Sequence, residues 1–189
     1  MLSLSSRQQL AIGVALVLLM ALTRSHHWAA LHALPDASWA VFFLVGVYLR
    51  AFWIAPALML GAALIDYVAI TWGGVSSFCV SPAYVALVPA YGALFLAGRV
   101  YARHHRLSWS ALPWLLGCAL AGAVMAELFS SGGFYFFSGR FAEPSLGEFI
   151  PRLVKYFPSM LSTMGAYLGL AAMIHVAVVS LRGDAQRVG

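Results

Sequence analysis

The sequence predicts an all-α integral membrane protein, a single bundle of six transmembrane helices, and three observations predict it. Of 189 residues, 62% are hydrophobic and only 9% are charged, against about 25% charged in a soluble domain, whose surface water must solvate. Mean hydropathy is +0.88. The apolar residues fall in runs long enough to cross a bilayer, and in lipid a helix is the element that satisfies its own backbone. The basic residues sit between those runs, so the net charge of +5 reads as loop charge of a membrane protein and not as a nucleic-acid surface. No segment is long and polar enough for a second domain, so residues 1–189 form one unit.

A crossing needs about 20 residues. On that ruler the expected spans are Ser5–Thr23, Ser38–Leu49, Ala51–Trp72, Pro82–Val100, Trp109–Ser130 and Pro151–Leu181. Arg7 precedes the first, and Thr23-Arg24-Ser25-His26-His27 follows it without a small-x-small cleavage site, so it is expected to be a retained helix rather than a signal peptide. The apolar stretch Trp39–Trp72 is too long for one crossing and is expected to break near Arg50 and Pro56. The sixth run exceeds one crossing, so it is expected to tilt or to begin in the interface.

Lys and Arg counted by alternate loops give the orientation. Arg7, Arg50, Arg99, Arg103, Arg106, Arg182 and Arg187 fall on one side, and Arg24, Arg140, Arg152 and Lys155 on the other. The excess places both termini in the cytoplasm. The segments Arg24–Ala37, Gly73–Ser81 and Ser131–Ile150 then lie outside, and a site is expected to open there.

Cys79 lies in the outward segment after the third helix, where Gly73 and Gly74 free the backbone and Pro82 starts the next helix. Two readings stand for it: a small hydrophobe tucked into a loop, or a soft ligand whose thiolate binds a transition metal. Cys118, among Leu, Ala and Gly in mid-helix, reads as packing. Asp66 and Glu127 lie below the outer ends of their helices. A carboxylate facing lipid there costs about 2.5–3.5 kcal/mol or more, so both are expected to face the interior, with Arg152 or Lys155 as candidate partners. Glu127 reads as structural, and Asp66 either lines a site or holds the fold. Gly132 to Gly139 encloses Phe134, Tyr135, Phe136 and Phe137, which reads as a glycine-hinged aromatic flap or as interfacial belt residues. Phe78, Trp72 and Tyr84 flank Cys79. His26, His27 and His32 match no compact metal spacing and read as interfacial, and His104 and His105 as part of the basic cytoplasmic loop. Ala11 and Ala15 stand one turn apart on the first helix, where small residues let another helix approach. No Walker A, Gly-x-Ser-x-Gly or His-Glu-x-x-His motif is present, so no ATP site is expected.

Six helices in a short chain, cytoplasmic termini, alanines one turn apart on the first helix and outward loops resemble the S-components of energy-coupling-factor vitamin transporters. Within that group, the segment carrying Asp66, Cys79 and Tyr84 is similar to the BtuM-type cobalamin transporters of Gram-negative bacteria. The resemblance implies an S-component-like bundle in the inner membrane that binds cobalamin (vitamin B12) from outside. It also implies Cys79 as axial ligand to the cobalt, removal of cyanide from cyanocobalamin at that cysteine, and Asp66 and Tyr84 as pocket residues. Phe78 and Tyr135 are the aromatic candidates for the same pocket. Ala11 and Ala15 would meet an energy-coupling module if one is used, and a solitary member would act alone. The competing readings are an S-component for another vitamin, such as biotin or riboflavin, and a membrane enzyme with Asp66 and Glu127 as acid and base.

Overall fold

The computed structural model describes residues 4–24, 34–74, 76–79, 81–105 and 108–188, and for Cys79 and residues 182–188 the backbone alone. Among the described residues six α-helices run in chain order: α1 Ser6–Arg24, α2 Ser38–Tyr48, α3 Ile54–Trp72, α4 Leu87–His104, α5 Leu112–Phe137 and α6 Leu146–Val188. Short 3-10 turns at Ser77–Cys79, Pro82–Ala86 and Trp109–Ala111 lead into or join them. No strand occurs among the described residues.

Five of these helices, counted with their 3-10 lead-ins, are long and apolar enough to cross a membrane: Ser6–Arg24, Ile54–Trp72, Pro82–His104, Trp109–Phe137 and Leu146–Leu181. Their outward faces carry large apolar side chains, among them Leu18, Leu60, Leu64, Leu96, Leu116 and Met173. Such a surface suits lipid, and the chain is an all-helical, multi-pass membrane protein. The second expected span, Ser38–Leu49, is different. At 11 residues, α2 rises about 16 Å, well short of the roughly 30 Å of hydrocarbon.

Why α2 is helical at all follows from where it sits. Every residue from Ser38 to Val47 is buried, and α2 touches each of the other five helices. A helix apolar all round belongs inside a bundle. Its approach to α4 depends on two glycines: a Cβ at Gly46 would overlap the Phe95 carbonyl, and one at Gly98 would overlap that of Phe43. Small residues at this crossing bring the two backbones into contact. The break between α2 and α3 falls at residues 49–53, around Arg50 as expected, with Pro56 inside the first turn of α3. Arg99 of α4 secures that break by donating to the Arg50 carbonyl, its guanidinium lying 4.4 Å from the Phe52 ring centre and 5.1 Å from that of Phe95.

Two boundaries differ from expectation. α5 continues through Phe137 instead of stopping at Ser130, so the aromatic flap is the last turns of a helix. Packing overrides the low helix propensity of its glycines: a Cβ on Gly133 would stand 2.5 Å from that of Ala86, and Tyr135 stacks on Phe149 of α6. α6 begins at Leu146, ahead of Pro151, and carries both Pro151 and Pro158 within its length. The outer segment expected over Ser131–Ile150 thus shrinks to residues 138–145.

Candidate functional site at the Asp66 end

Arg24 ends α1 and Asp66 lies on α3, and the two meet in a fork-to-fork pair. Arg24 Nε donates to Asp66 Oδ1 and Nη2 to Oδ2, both at 2.7 Å. Arg24 Nη1 donates further to Ser38 Oγ at 2.9 Å and to Tyr91 OH at 2.7 Å. Asp36 Oδ2 is 3.9 Å away. Tyr84 OH donates to Asp66 Oδ2 at 2.7 Å. One guanidinium therefore ties α1 to α2, α3 and α4.

Local sequence builds the supports. Thr23 Oγ1 accepts the Ala37 N–H at 3.1 Å, which fixes the start of α2 beside the end of α1. Asp36 Oδ1 accepts from the Ser38 N–H at 2.8 Å and from Ser38 Oγ at 2.6 Å, placing a carboxylate at the positive end of α2. Phe42 stacks on Tyr91 with ring centres 4.2 Å apart and planes 6° from parallel, so the phenol facing Arg24 is held by the core.

Asp66, Tyr67, Thr71, Ser77 and Tyr84 line a cleft of about 230 Å³ at this end. Both Asp66 oxygens are occupied by protein donors and its charge is matched by Arg24. The cleft accordingly offers hydroxyls and an aromatic ring rather than a free charge. A carboxylate held by three donors, two of them from a cation, is a weaker base than a free one.

Ser77 begins the 3-10 turn Ser77–Cys79, so the backbone of Cys79 is carried by the turn that forms one wall of the cleft. Gly74, at φ 68°, lets the chain leave α3 in a left-handed conformation that a side chain would resist. Phe78 pins the turn to the end of α5: its ring lies 5.7 Å from that of Phe134, and the Arg140 guanidinium lies 4.9 Å from its centre. Phe78 is still half exposed.

The remaining expected residues scatter. Tyr135 is buried; its hydroxyl donates to Glu148 Oε2 at 3.2 Å and accepts the Ser145 N–H at 3.2 Å. It fastens the α5–α6 connection and does not line the Asp66 cleft. Glu127 is buried in α5 and accepts from Ser131 Oγ at 2.7 Å, also away from that cleft. Arg152 and Lys155, the partners expected for Asp66, sit instead over aromatic rings, Arg152 4.7 Å from Phe141 and Lys155 5.3 Å from Tyr156. Ala11 and Ala15 are exposed on α1. Cys118 is a buried free thiol. His26, His27 and His32 lie outside the described residues, as does Arg106. His104 stacks on Trp114, while His105 turns inward at the opposite end of the bundle.

Sequence reasoning missed Arg24, Ser38 and Tyr91. Arg24 was counted as a loop charge, although a cation in the last turn of an apolar helix, with an intramembrane aspartate to match, is itself a sign of pairing. Among the described residues, no group of three or more His, Cys, Asp or Glu stands ready to hold a metal ion. No family model matches this sequence, and no curated protein matches it.

Proposed function

We propose that this chain binds cobalamin at the Asp66 end and serves its uptake across the bacterial inner membrane, with the Cys79 sulfur as axial ligand to cobalt. One observation carries the reading: Ser77, on the turn that bears Cys79, lines the same cleft as Asp66 and Tyr84. Asp66 and Tyr84, which the sequence resemblance assigns to one pocket with Cys79, thus share one cleft with the turn that carries it.

The chemistry of the cleft agrees. A corrin is large, partly apolar and fringed with neutral amides. The hydroxyls of Tyr84, Ser77 and Thr71 suit amides, and the charge-matched Asp66 penalises an uncharged ligand less than a free carboxylate would. The cleft admits an edge of such a ligand, while Phe78, Phe134 and Phe141 offer aromatic surface for the remainder. With both termini cytoplasmic, this end faces outward, where the vitamin arrives. The exposed Ala11 and Ala15 leave room on α1 for an energy-coupling module, and nothing in the reading requires one.

In decyanation, Cys79 is the catalytic residue. Its sulfur gives an electron pair to cobalt(III), the thiol proton goes to the departing cyanide, and cyanide leaves the opposite face with the cobalt–carbon pair as hydrogen cyanide. Coordination favours the deprotonated sulfur, so no separate base is needed. An acid–base enzyme using Asp66 and Glu127 gains no support, because each carboxylate is held by its own partner, Arg24 for one and Ser131 for the other.

The test is equilibrium binding to the purified protein. Cyanocobalamin should bind at one per chain, and biotin and riboflavin should not. Binding of either of those vitamins in place of cobalamin would sink the proposal.

A further inference from the structure

A cavity of about 490 Å³ lies between α2, α4, α5 and α6 at the end of the bundle opposite the Asp66 cleft. α5 and α6 meet at their other ends, where Phe149 packs on Gly132 and stacks on Tyr135, and the cavity parts them here. Its inner wall belongs to the core: Leu44 and Val47 of α2 and Leu168 of α6 are buried. Leu112 of α5 and Val176 of α6 line it as well, and both are also exposed on the outer surface. The cavity therefore opens between these two helices onto the face that lipid covers. The polar rings along the wall are set against one another, His105 with Tyr101 and His175 with Tyr48. Ser108, Trp109 and Ser180 gather at one end, where the spans Trp109–Phe137 and Leu146–Leu181 reach the membrane boundary. The exposed Trp109 indole suits headgroup depth.

We propose that this cavity holds one acyl chain of a phospholipid from the adjoining leaflet. Length selects the ligand. From Leu168 to Ser180 the α6 wall runs about 18 Å at about 1.5 Å per residue, and one leaflet's share of the roughly 30 Å of hydrocarbon is about 15 Å. A chain whose ester sits beside Ser108 and Ser180 thus ends near Leu168, at the depth where the other chains of that leaflet end. The lipid's second chain stays in the bilayer. Water is a poor occupant of so apolar a wall, because a buried water needs about 2–4 polar partners. An inserted partner helix is about 10–12 Å across with its side chains and over the same length would fill well over about 1,000 Å³, more than the cavity offers. Leaving lipid for an apolar wall brings no hydrophobic gain, and what holds the chain is dispersion contact across a gap that side chains leave open. The chain completes the packing of α6 against α2 and α5 at this end. The site shares no residue with the Asp66 cleft and does not depend on cobalamin binding.

The test places the whole protein in nanodiscs of phosphatidylethanolamine and phosphatidylglycerol doped with a phospholipid that carries a photoreactive diazirine near the end of one acyl chain. After illumination, peptide mass spectrometry should find adducts on Leu44, Val47 or Leu168, which lipid around the bundle does not touch, as well as on outward residues such as Met173. Ala172→Phe fills the cavity from α6 and should cut the interior adducts at least about tenfold, leaving those on Met173 unchanged. Leu170→Phe, on the outer face of the same helix, should leave the interior adducts as they are. The parent protein alone decides if Ala172→Phe fails to fold. Adducts confined to outward residues in the parent, or interior adducts undiminished in folded Ala172→Phe, would each overturn the site.

Discussion

Arg24 and Asp66 lie 42 residues apart in sequence and join side by side through two contacts of 2.7 Å. The Arg24 side chain is 8% exposed and that of Asp66 25%. This pair holds the ends of α1 and α3 together at the mouth of the candidate site, and it makes Asp66 a structural residue as well as a wall of the cleft. Asp66→Asn removes the compensating charge and leaves a buried guanidinium. Breaking such a pair costs about 3–5 kcal/mol, with the partial exposure of Asp66 placing the expected loss near about 3 kcal/mol. Thermal unfolding in detergent should show it, and a double-mutant cycle with Arg24→Gln should return a coupling well above 1 kcal/mol, the upper end for exposed pairs. Independent, additive losses would contradict the pairing.

Tyr84→Phe isolates the pocket from the scaffold. It deletes one donor to Asp66 Oδ2 and leaves both Arg24 contacts in place. Stability should fall by about 1–2 kcal/mol, and cyanocobalamin affinity should weaken about tenfold, equivalent to about 1.4 kcal/mol. Stability loss with unchanged affinity would remove Tyr84 from the ligand face.

The α2–α4 crossing makes its own prediction. Gly46→Ala and Gly98→Ala each drive a methyl into the backbone of the facing helix, where no side chain can turn aside. Overpacking costs about 1–3 kcal/mol even where side chains yield, so both variants should lose monodisperse yield and unfold at clearly lower temperature. Gly61→Ala and Gly165→Ala, where an added methyl meets nothing within 4 Å, are the controls and should be neutral. Equal behaviour of the two sets would contradict the close approach.

The contrast between these positions shows what was legible in sequence. The long spans were, because hydropathy and length suffice to mark a helix that lipid surrounds. The break at Arg50 was also legible, since Trp39–Trp72 exceeds one crossing. The short length of α2 was legible too, in the expected span Ser38–Leu49, but its central position was not: a run of apolar residues looks the same whether lipid or protein covers it. The end of α5 was missed for a related reason, since Gly132 and Gly133 signal a hinge by propensity and become helical only through contact with Ala86 and Phe149. At the site, Asp66 stood out as an ionisable residue inside a span, and Tyr84 through the resemblance. Arg24 did not, because its partners Asp66 and Tyr91 are distant in sequence.

The orientation is checked by labelling. Single cysteines introduced near Arg103 and within residues 138–145, in a background lacking Cys79 and Cys118, should react differently with an impermeant thiol reagent on intact spheroplasts. The 138–145 position should label, and the Arg103 position only after the membrane is opened. The reverse pattern would turn the Asp66 end toward the cytoplasm and deny it access to external vitamin.

The most direct measurement is the absorbance spectrum of cyanocobalamin mixed with purified protein, read for the parent, Cys79→Ser and Cys118→Ser. Serine at position 79 nearly preserves volume while replacing a soft donor with a hard, protonated one. The parent and Cys118→Ser should shift the cobalamin spectrum and release cyanide, and Cys79→Ser should fold normally and do neither. An unaltered spectrum in the parent, or the same spectrum, affinity and cyanide release in Cys79→Ser, would contradict cobalt ligation by Cys79.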